Sequence, residues 1–298
     1  MAAPSYIIAI VLSGFLFAGD AHAKPLRAAL WPRTVPVPTV KNLGSEIEVV
    51  GGQPSQERRV VGITFIQDGQ RRICSGMLLT PKIILTAAHC TCNSSDYRVS
   101  NAPFVEDDWR PAHFKARFQS YNCNSGPVGG NDIALLTVDR ALFGDDRALC
   151  PFSTVEEIRY VGSWRRTPDL IQVAGYGFEG DKPTSWGTRR SVEVVVNSFI
   201  CIEPAAQFLG CARSAEMMMG VGRLGAAKDT CAGDSGGPAF VKVGEAFVPI
   251  GLVSRGVALR QPFPKIGMCG AGGLYTHLGR QDVFDWLKAN GVPSTSRC

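Results

Sequence analysis

The sequence lacks the patterns that mark metal, nucleic-acid and membrane-spanning proteins. It contains no pair of CxxC units and no CxxC unit with a nearby histidine cluster, which argues against a zinc site. Lys and Arg are scattered through a chain of net charge +5, whereas nucleic-acid binding favours a concentrated basic stripe. Beyond the amino terminus, no stretch is long and apolar enough to form a membrane helix.

The single long apolar run lies at the amino terminus. Residues 6–19 form this run, and Ala21-His22-Ala23 follows it as a small-x-small cleavage pattern. The run is too short to span a bilayer comfortably, so we predict a signal peptide at residues 1–23 rather than a stable membrane anchor. The protein is therefore expected to be secreted, and the sequence leaves periplasmic and extracellular residence both open.

The cysteine content agrees with export. The chain has ten cysteines, an even number that is most simply explained by five disulfides formed in an oxidising compartment. We therefore expect disulfides rather than a metal site, and no cofactor.

Turn-forming residues are abundant, with 33 Gly and 19 Pro, which favours an all-β chain. Short apolar runs separated by Gly, Pro, Asn and Asp predict strands, and their spacing is typical of barrels or a sandwich. These runs cover residues 60–66, 75–80, 83–88, 132–138, 170–177, 190–196, 246–254 and 272–278.

Two other segments frame this β-rich body. Residues 24–48 contain four prolines and no sustained period, so we predict an extended segment outside the core. Residues 279–291 place Val283, Phe284, Trp286 and Leu287 on one helical face. A carboxy-terminal helix capped by the glycine at its end is therefore predicted.

Three short stretches carry the residue types of nucleophilic catalysis. LTAAHC ends in His89 and Cys90, GNDIALL places Asp132 at the start of a strand, and GDSGGP surrounds Ser235 with glycines. A serine hydroxyl needs an adjacent base, which histidine can supply, and a buried carboxylate can orient that histidine. Taken singly, each residue is more often structural, as a core histidine, a strand-entry acid or a turn serine. The pattern does not show that the three meet in space.

In this order the three stretches resemble the signatures of the chymotrypsin/trypsin family of secreted serine endopeptidases. The resemblance runs from about Val49 to the carboxy-terminal helix and implies a domain at residues 49–298. It implies two six-stranded antiparallel β-barrels with a cleft between them. By this likeness His89 is the general base, Asp132 its orienting partner and Ser235 the nucleophile. The N–H groups of Gly233 and Ser235 would form the oxyanion hole.

The resemblance also implies activation by proteolysis. Val49 matches the mature amino terminus of the family, whose freed amine pairs with the acid before the catalytic serine, here Asp234. Residues 24–48 would then be a propeptide. Glu48 precedes the cut, whereas trypsin-type zymogens are usually cut after Lys or Arg, so we predict a separate activating protease.

A second cleavage site is suggested by two arginines before Val60. However, Val49 lies about as far ahead of Cys74 as the family's amino terminus lies ahead of the matching cysteine. Residues 60–66 also match a first barrel strand, so Val49 is the predicted start.

The likeness extends to substrate recognition. Asp229 lies six residues before Ser235, at the position of the pocket base in trypsin-like members, and would pair with a substrate Lys or Arg. Gly256 and Gly273 match the small residues of the pocket wall. Ser254 matches a serine that hydrogen-bonds near the catalytic acid. Cleavage of proteins or peptides after Lys or Arg is therefore expected.

Three features bear on the cleft. Arg255 stands where relatives usually carry tryptophan, and is expected to add a cation that weakens binding of basic substrates or favours acidic residues. Residues 257–268 form a longer segment than usual and could restrict the cleft. Met217-Met218-Met219 is expected to lie in a loop before the pocket, packed there rather than forming a Met-rich binding surface.

The family likeness further implies three disulfides, namely Cys74–Cys90, Cys201–Cys211 and Cys231–Cys269. The four remaining cysteines allow three pairings. Among these we prefer Cys92–Cys123 with Cys150–Cys298.

The sequence thus predicts a monomeric, secreted serine endopeptidase made as a zymogen. The alternative is a catalytically silent relative that uses the same fold as a binding module. Retention of all three triad residues favours the enzyme.

Overall fold

The computed structural model describes residues 52–142, 154–162, 170–179, 186–221, 228–244, 246–257 and 269–294. The predicted signal peptide, the propeptide, Val49, Cys150, Cys298 and most of the long segment at 257–268 lie outside these residues. The strands are β1 Gln53–Pro54, β2 Val60–Gln67, β3 Gln70–Leu78, β4 Ile83–Thr86, β5 Ser94–Ser100, β6 Arg110–Arg117, β7 Ala134–Val138, β8 Leu170–Gly175, β9 Arg190–Ser198, β10 Glu216–Met219, β11 Pro238–Val243, β12 Ala246–Gly256 and β13 Gly273–His277. The α-helices are α1 Val155–Gly162, α2 Pro204–Phe208 and α3 Gln281–Ala289, and a short 3-10 helix covers Ala88–Thr91.

The first barrel closes in the order β2-β3-β4-β7-β6-β5, with antiparallel neighbours throughout. Strands β2 and β3 form a hairpin whose turn is Asp68-Gly69, and both turn residues have positive φ. Such a turn matches the twist of the flanking strands. Apolar side chains such as Ile63, Leu78 and Leu136 fill the interior.

The second barrel closes in the order β8-β9-β10-β13-β12-β11, because β9 pairs with both β8 and β10. The short strand β1 pairs antiparallel with Arg190 and Ser191 at the start of β9. Two closed six-stranded antiparallel barrels confirm the predicted fold.

The carboxy-terminal helix is also confirmed. α3 buries Val283, Phe284 and Leu287 against the core. Trp286 is only partly buried, and its ring contacts Phe118 of the first barrel edge-on, with ring centroids 5.5 Å apart. Gly291 has a φ of +80° just beyond the helix, a conformation that glycine adopts without strain.

The prediction of a loop at Met217-Met218-Met219 was wrong. These residues form most of β10, and all three side chains are buried between β9 and β13. Apolar and polar residues do not alternate in this segment, because both faces of the strand are covered. The period of two that identifies a half-buried strand is therefore absent from the sequence. Helices α1 and α2 were likewise not predicted, because each is short.

Four disulfides lie within the described residues: Cys74–Cys90, Cys92–Cys123, Cys201–Cys211 and Cys231–Cys269. These are the three pairs that the family likeness implied and the one preferred among the remaining cysteines. Two of them flank the predicted active site, since Cys90 follows His89 and Cys231 lies four residues before Ser235. Each covalent link limits how far these segments can move.

Candidate active site

Two strands of the first barrel bring His89 and Asp132 together. Strands β4 and β7 pair with Thr86 opposite Ala134, so the residues just beyond that end of the pair are neighbours. His89 lies in the 3-10 helix after β4, and its backbone N–H donates to Asp132 Oδ1 at 2.9 Å. Its ring Nδ1 lies 2.8 Å from Asp132 Oδ2. An ionised carboxylate only accepts, so Nδ1 carries the proton and Nε2 of the neutral ring is left as a base.

The second barrel completes the surroundings of Asp132. Ser254 of β12 donates its hydroxyl to Asp132 Oδ2 at 2.7 Å. The Asp132 side chain is fully buried, whereas the His89 side chain is 27% exposed. The carboxylate is therefore held by three hydrogen bonds away from solvent, while the imidazole can meet a substrate.

The turn that carries Ser235 packs against the end of β4. The Ser235 carbonyl accepts the N–H of Ser75 at 2.8 Å, and the Gly236 N–H donates to Val253 O at 2.8 Å. Gly236 has a φ of +81°, and a side chain there would place its Cβ 2.6 Å from the Ala87 nitrogen. Only glycine allows this close approach. It places the serine turn against Ala87, which lies two residues before His89 in the chain. Ser235 itself is partly exposed.

Two backbone donors lie in the same turn. Within the described residues, neither the Gly233 N–H nor the Ser235 N–H donates to a protein acceptor. Gly233 has a φ of +90°, and a Cβ there would lie 2.9 Å from Gly177 Cα. Two unpaired donors beside a candidate nucleophile form the kind of site that stabilises an oxyanion.

Ser75 is a supporting residue that the sequence did not reveal. Its hydroxyl donates to the Gly233 carbonyl at 2.9 Å and accepts the Tyr176 N–H at 2.8 Å. It therefore orients the peptide that carries these two unpaired donors, and its backbone N–H also bonds the Ser235 carbonyl. One feature of the sequence could have indicated Ser75. It directly follows Cys74, and the disulfide partner of Cys74 is Cys90, the residue after His89.

Asp234, the second acid of the serine turn, is buried without a described counter-charge. Its Oδ1 accepts the Gly177 N–H and its Oδ2 accepts the Cys231 N–H, both at 2.8 Å. Burial raises the pKa of Asp234 to about 6, although the two hydrogen bonds oppose the shift. No cationic side chain of the described residues contacts it. Its predicted partner, the amine of Val49, lies outside those residues.

The predicted pocket residues converge. Asp229 is 2% exposed, and its carboxylate accepts the N–H groups of Thr230 at 2.7 Å and of Gly272 at 2.8 Å. The next residue, Gly273, pairs with Gly256 of the neighbouring strand. Burial, reinforced by the nearby negative charge of Asp234, raises the pKa of Asp229 to about 6. Asp229 is thus a buried acid at one end of a wall lined by glycines.

Arg255 does not add a free cation to the cleft, which corrects the prediction. Its guanidinium binds Glu216 through two hydrogen bonds, Nη1 to Oε1 at 2.5 Å and Nη2 to Oε2 at 2.9 Å. The Glu216 side chain is fully buried, and that of Arg255 is 19% exposed. The sequence did not reveal this pair because its members lie 39 residues apart. Since Glu216 neutralises the guanidinium, we expect no added preference for acidic substrates.

One cluster has the spacing of metal ligands but not their chemistry. Ligand atoms of Cys74, His89 and Cys90 lie within 4.8 Å of one another. The two sulfur atoms are bonded to each other, so neither is a thiolate that could bind a metal.

Comparisons with known proteins agree with this geometry. The family model described as Trypsin matches residues 49–267. Phenoloxidase-activating factor 3 of Holotrichia diomphalia is 27% identical over 86% of this chain and 76% of its own length. The proclotting enzyme of Tachypleus tridentatus is 26% identical over 85% and 67%, respectively. The thrombin-like enzyme acutin of Deinagkistrodon acutus is 27% identical over 74% and 86%. Among the described residues, no helix has the length and apolarity to cross a membrane.

Proposed function

Because this chain belongs to the trypsin family of serine proteases, we propose that it is an active, secreted endopeptidase that works through an acyl-enzyme. The observation that carries the proposal is the buried Asp132 holding His89 Nδ1, with the Ser235 turn seated against the same strand end. Secretion is supported by the signal-like amino terminus and by four disulfides in the described residues.

The chemistry proceeds in two halves. His89 Nε2 takes the proton of the Ser235 hydroxyl as Oγ bonds to the substrate carbonyl carbon. The carbonyl oxygen becomes an oxyanion and accepts hydrogen bonds from the N–H groups of Gly233 and Ser235. Collapse breaks the C–N bond, and the leaving amine takes the proton from His89. Water then attacks the acyl-enzyme with the same base, which releases the acid and restores Ser235.

Activation requires a cut before Val49. The buried Asp234 carboxylate is costly as an anion without an opposite charge, and its raised pKa reflects that cost. The freed Val49 ammonium would supply the charge and order the serine turn. Because Glu48 precedes the cut, a protease with a different preference performs it.

Fluorophosphonate labelling tests both activity and activation. The reagent forms an Oγ–P bond on an activated serine and loses fluoride. Residues 44–48 of the full-length protein are replaced by Asp-Asp-Asp-Asp-Lys, so that enteropeptidase frees Val49. We expect labelling at least about 100-fold faster after the cut, because ordering the oxyanion site supplies several kcal/mol. Absence of labelling in both forms would support the binding-module alternative, and equal rates would contradict zymogen activation.

We expect Asp229→Asn to lower kcat/KM for Lys and Arg substrates by about 100-fold. The loss of a buried partner for a substrate cation costs about 3 kcal/mol. Peptide libraries cleaved by the processed variant and by the wild type measure the change. The labelling rate of Ser235 is the internal control and should change little, because the small reagent carries no cation. A wild type that prefers aromatic or small residues would refute Lys/Arg specificity.

The pH dependence of substrate binding follows from the same acid. Its folded pKa is raised to about 6, so Asp229 becomes protonated, and loses its charge, as the pH falls through about 6. The KM for a Lys or Arg substrate should therefore rise below pH 6, while above pH 7 it should be flat. The Asp229→Asn variant should lack this step. Steady-state kinetics between pH 5 and pH 8 would show it.

A further inference from the structure

Glu216 lies where four hydrogen bonds from three segments meet. Besides the two bonds from Arg255, its Oε1 accepts the Gly130 N–H at 3.0 Å and its Oε2 accepts the Ala212 N–H at 2.8 Å. Both oxygens are therefore fully used by donors in a fully buried site. A buried carboxylate that accepts this many hydrogen bonds fixes the donor groups around it.

One of these segments carries the catalytic acid. Gly130 lies two residues before Asp132 and has a φ of +72°. A side chain at this position would place its Cβ 2.4 Å from the Ala215 carbonyl oxygen, so the loop is pressed against the second barrel. The Arg280 guanidinium donates to the carbonyls of both Gly130 and Ala215. The approach of the Asp132 loop to the second barrel therefore depends on Glu216 and Arg280.

Another segment is the strand predicted to bind substrate. Arg255 stands between Ser254, which bonds Asp132, and Gly256, a predicted wall residue of the pocket. The pairing of β12 with β13 shifts by one residue between Val253 and Arg255. The regular hydrogen bonds between the two strands are therefore interrupted at this point. The guanidinium anchors this point to Glu216 and also donates to Gly210 O at 2.8 Å.

We propose that Glu216 is a positioning residue of the protease, which locks the Asp132 loop and the substrate strand to each other through Arg255. The inference rests on the proposed proteolytic function. Glu216 touches no reacting atom, and it acts by fixing the separation between Asp132 and β12, on which the Ser254 hydrogen bond depends.

The test is Glu216→Gln in the protein cut before Val49. The amide retains one acceptor oxygen, but its NH₂ group cannot accept the hydrogen bonds that the second carboxylate oxygen accepted. Arg255 also loses its counter-charge. We expect the labelling rate of Ser235 and the kcat for a peptide substrate to fall about 10-fold. The near-UV circular dichroism should stay native.

A matched control separates positioning from general stability. Glu57 pairs with Arg59 through both carboxylate oxygens, at 2.8 and 2.7 Å, and both side chains are largely buried. Glu57→Gln should lower Tm as Glu216→Gln does but leave the labelling rate within about 2-fold of wild type. Wild-type labelling in Glu216→Gln would overturn the inference, whereas absence of labelling in the wild type would overturn the proposed function instead.

Arg255→Lys keeps the test decisive if Glu216→Gln does not fold. The ammonium can neutralise Glu216, but it cannot make the paired bonds of the guanidinium and also reach Gly210. We expect its Tm to lie within a few degrees of the wild-type value. Its labelling rate should be about 3-fold lower than that of the wild type, and its KM for peptides should be higher. Unchanged kinetics in this variant would contradict the inference.

Discussion

Replacing Ser235 by Ala is expected to lower kcat for peptide hydrolysis by roughly 10⁶-fold while leaving the fold intact. In the proposed mechanism this hydroxyl forms the acyl-enzyme, and its removal would leave His89 without a nucleophile to activate. The backbone bonds of this turn run through the Ser235 carbonyl and the Gly236 N–H, which the substitution retains. Progress curves with a peptide substrate, on protein cut before Val49, measure the loss.

The control for this variant is Ser95→Ala, an exposed serine in β5 outside the site. It should retain wild-type kcat. Fluorophosphonate should label Ser95→Ala and the wild type equally, and should not label Ser235→Ala. Retention of more than about 1% of the wild-type rate by Ser235→Ala would refute the assignment of the nucleophile.

Replacing Asp132 by Asn is expected to lower kcat by about 10⁴-fold. Three donors point at this carboxylate, from the His89 backbone, His89 Nδ1 and the Ser254 hydroxyl. An amide NH₂ placed toward Nδ1 makes that nitrogen an acceptor, which moves the imidazole proton to Nε2. The ring then cannot take the proton of Ser235. Single-turnover kinetics of the acylation step measure the effect directly.

Two variants show whether the loss is specific. Asp139 pairs with His113 on the surface, with Nε2 and Oδ2 3.4 Å apart, so Asp139→Asn should leave kcat unchanged. Ser254→Ala removes one neutral hydrogen bond to Asp132 and should cost about 10-fold or less, in line with about 1 kcal/mol. An Asp132→Asn variant that loses no more than Ser254→Ala would show that the carboxylate does not control the tautomer of His89.

Most of the site could be predicted because its residues lie in distinctive local contexts. LTAAHC, GNDIALL and GDSGGP each single out one candidate residue by its neighbours, and the structure places His89 Nδ1 2.8 Å from Asp132 Oδ2. The eight predicted apolar runs coincide with barrel strands, whereas β5, β6 and β11 fall outside every predicted run. Strand β10 was not predicted either, because its buried methionines show no alternation and depend on β9 and β13 to form a ladder.

The supporting residues were hidden for a different reason. Ser75 and Glu216 carry no local motif, and each acts on a segment far away in the chain: Ser75 bonds Gly233 across 158 residues and Glu216 bonds Gly130 across 86. The charge of Arg255 was visible in the sequence, but its environment was not. The buried Glu216 carboxylate neutralises this charge, and only folding brings the two side chains together.

The sequence by itself determined the candidate reactive groups, the family of the chain and the cysteines available for crosslinking. Side-chain chemistry and local backbone freedom are properties of short segments, so short segments are enough to specify them. Tertiary structure alone decided which buried acids have partners. It gives Asp234 the N–H groups of Gly177 and Cys231, and it gives Glu216 a guanidinium and two backbone N–H groups. Burial and electrostatic pairing depend on distances between segments that are remote in the chain, and closure of the two barrels sets those distances.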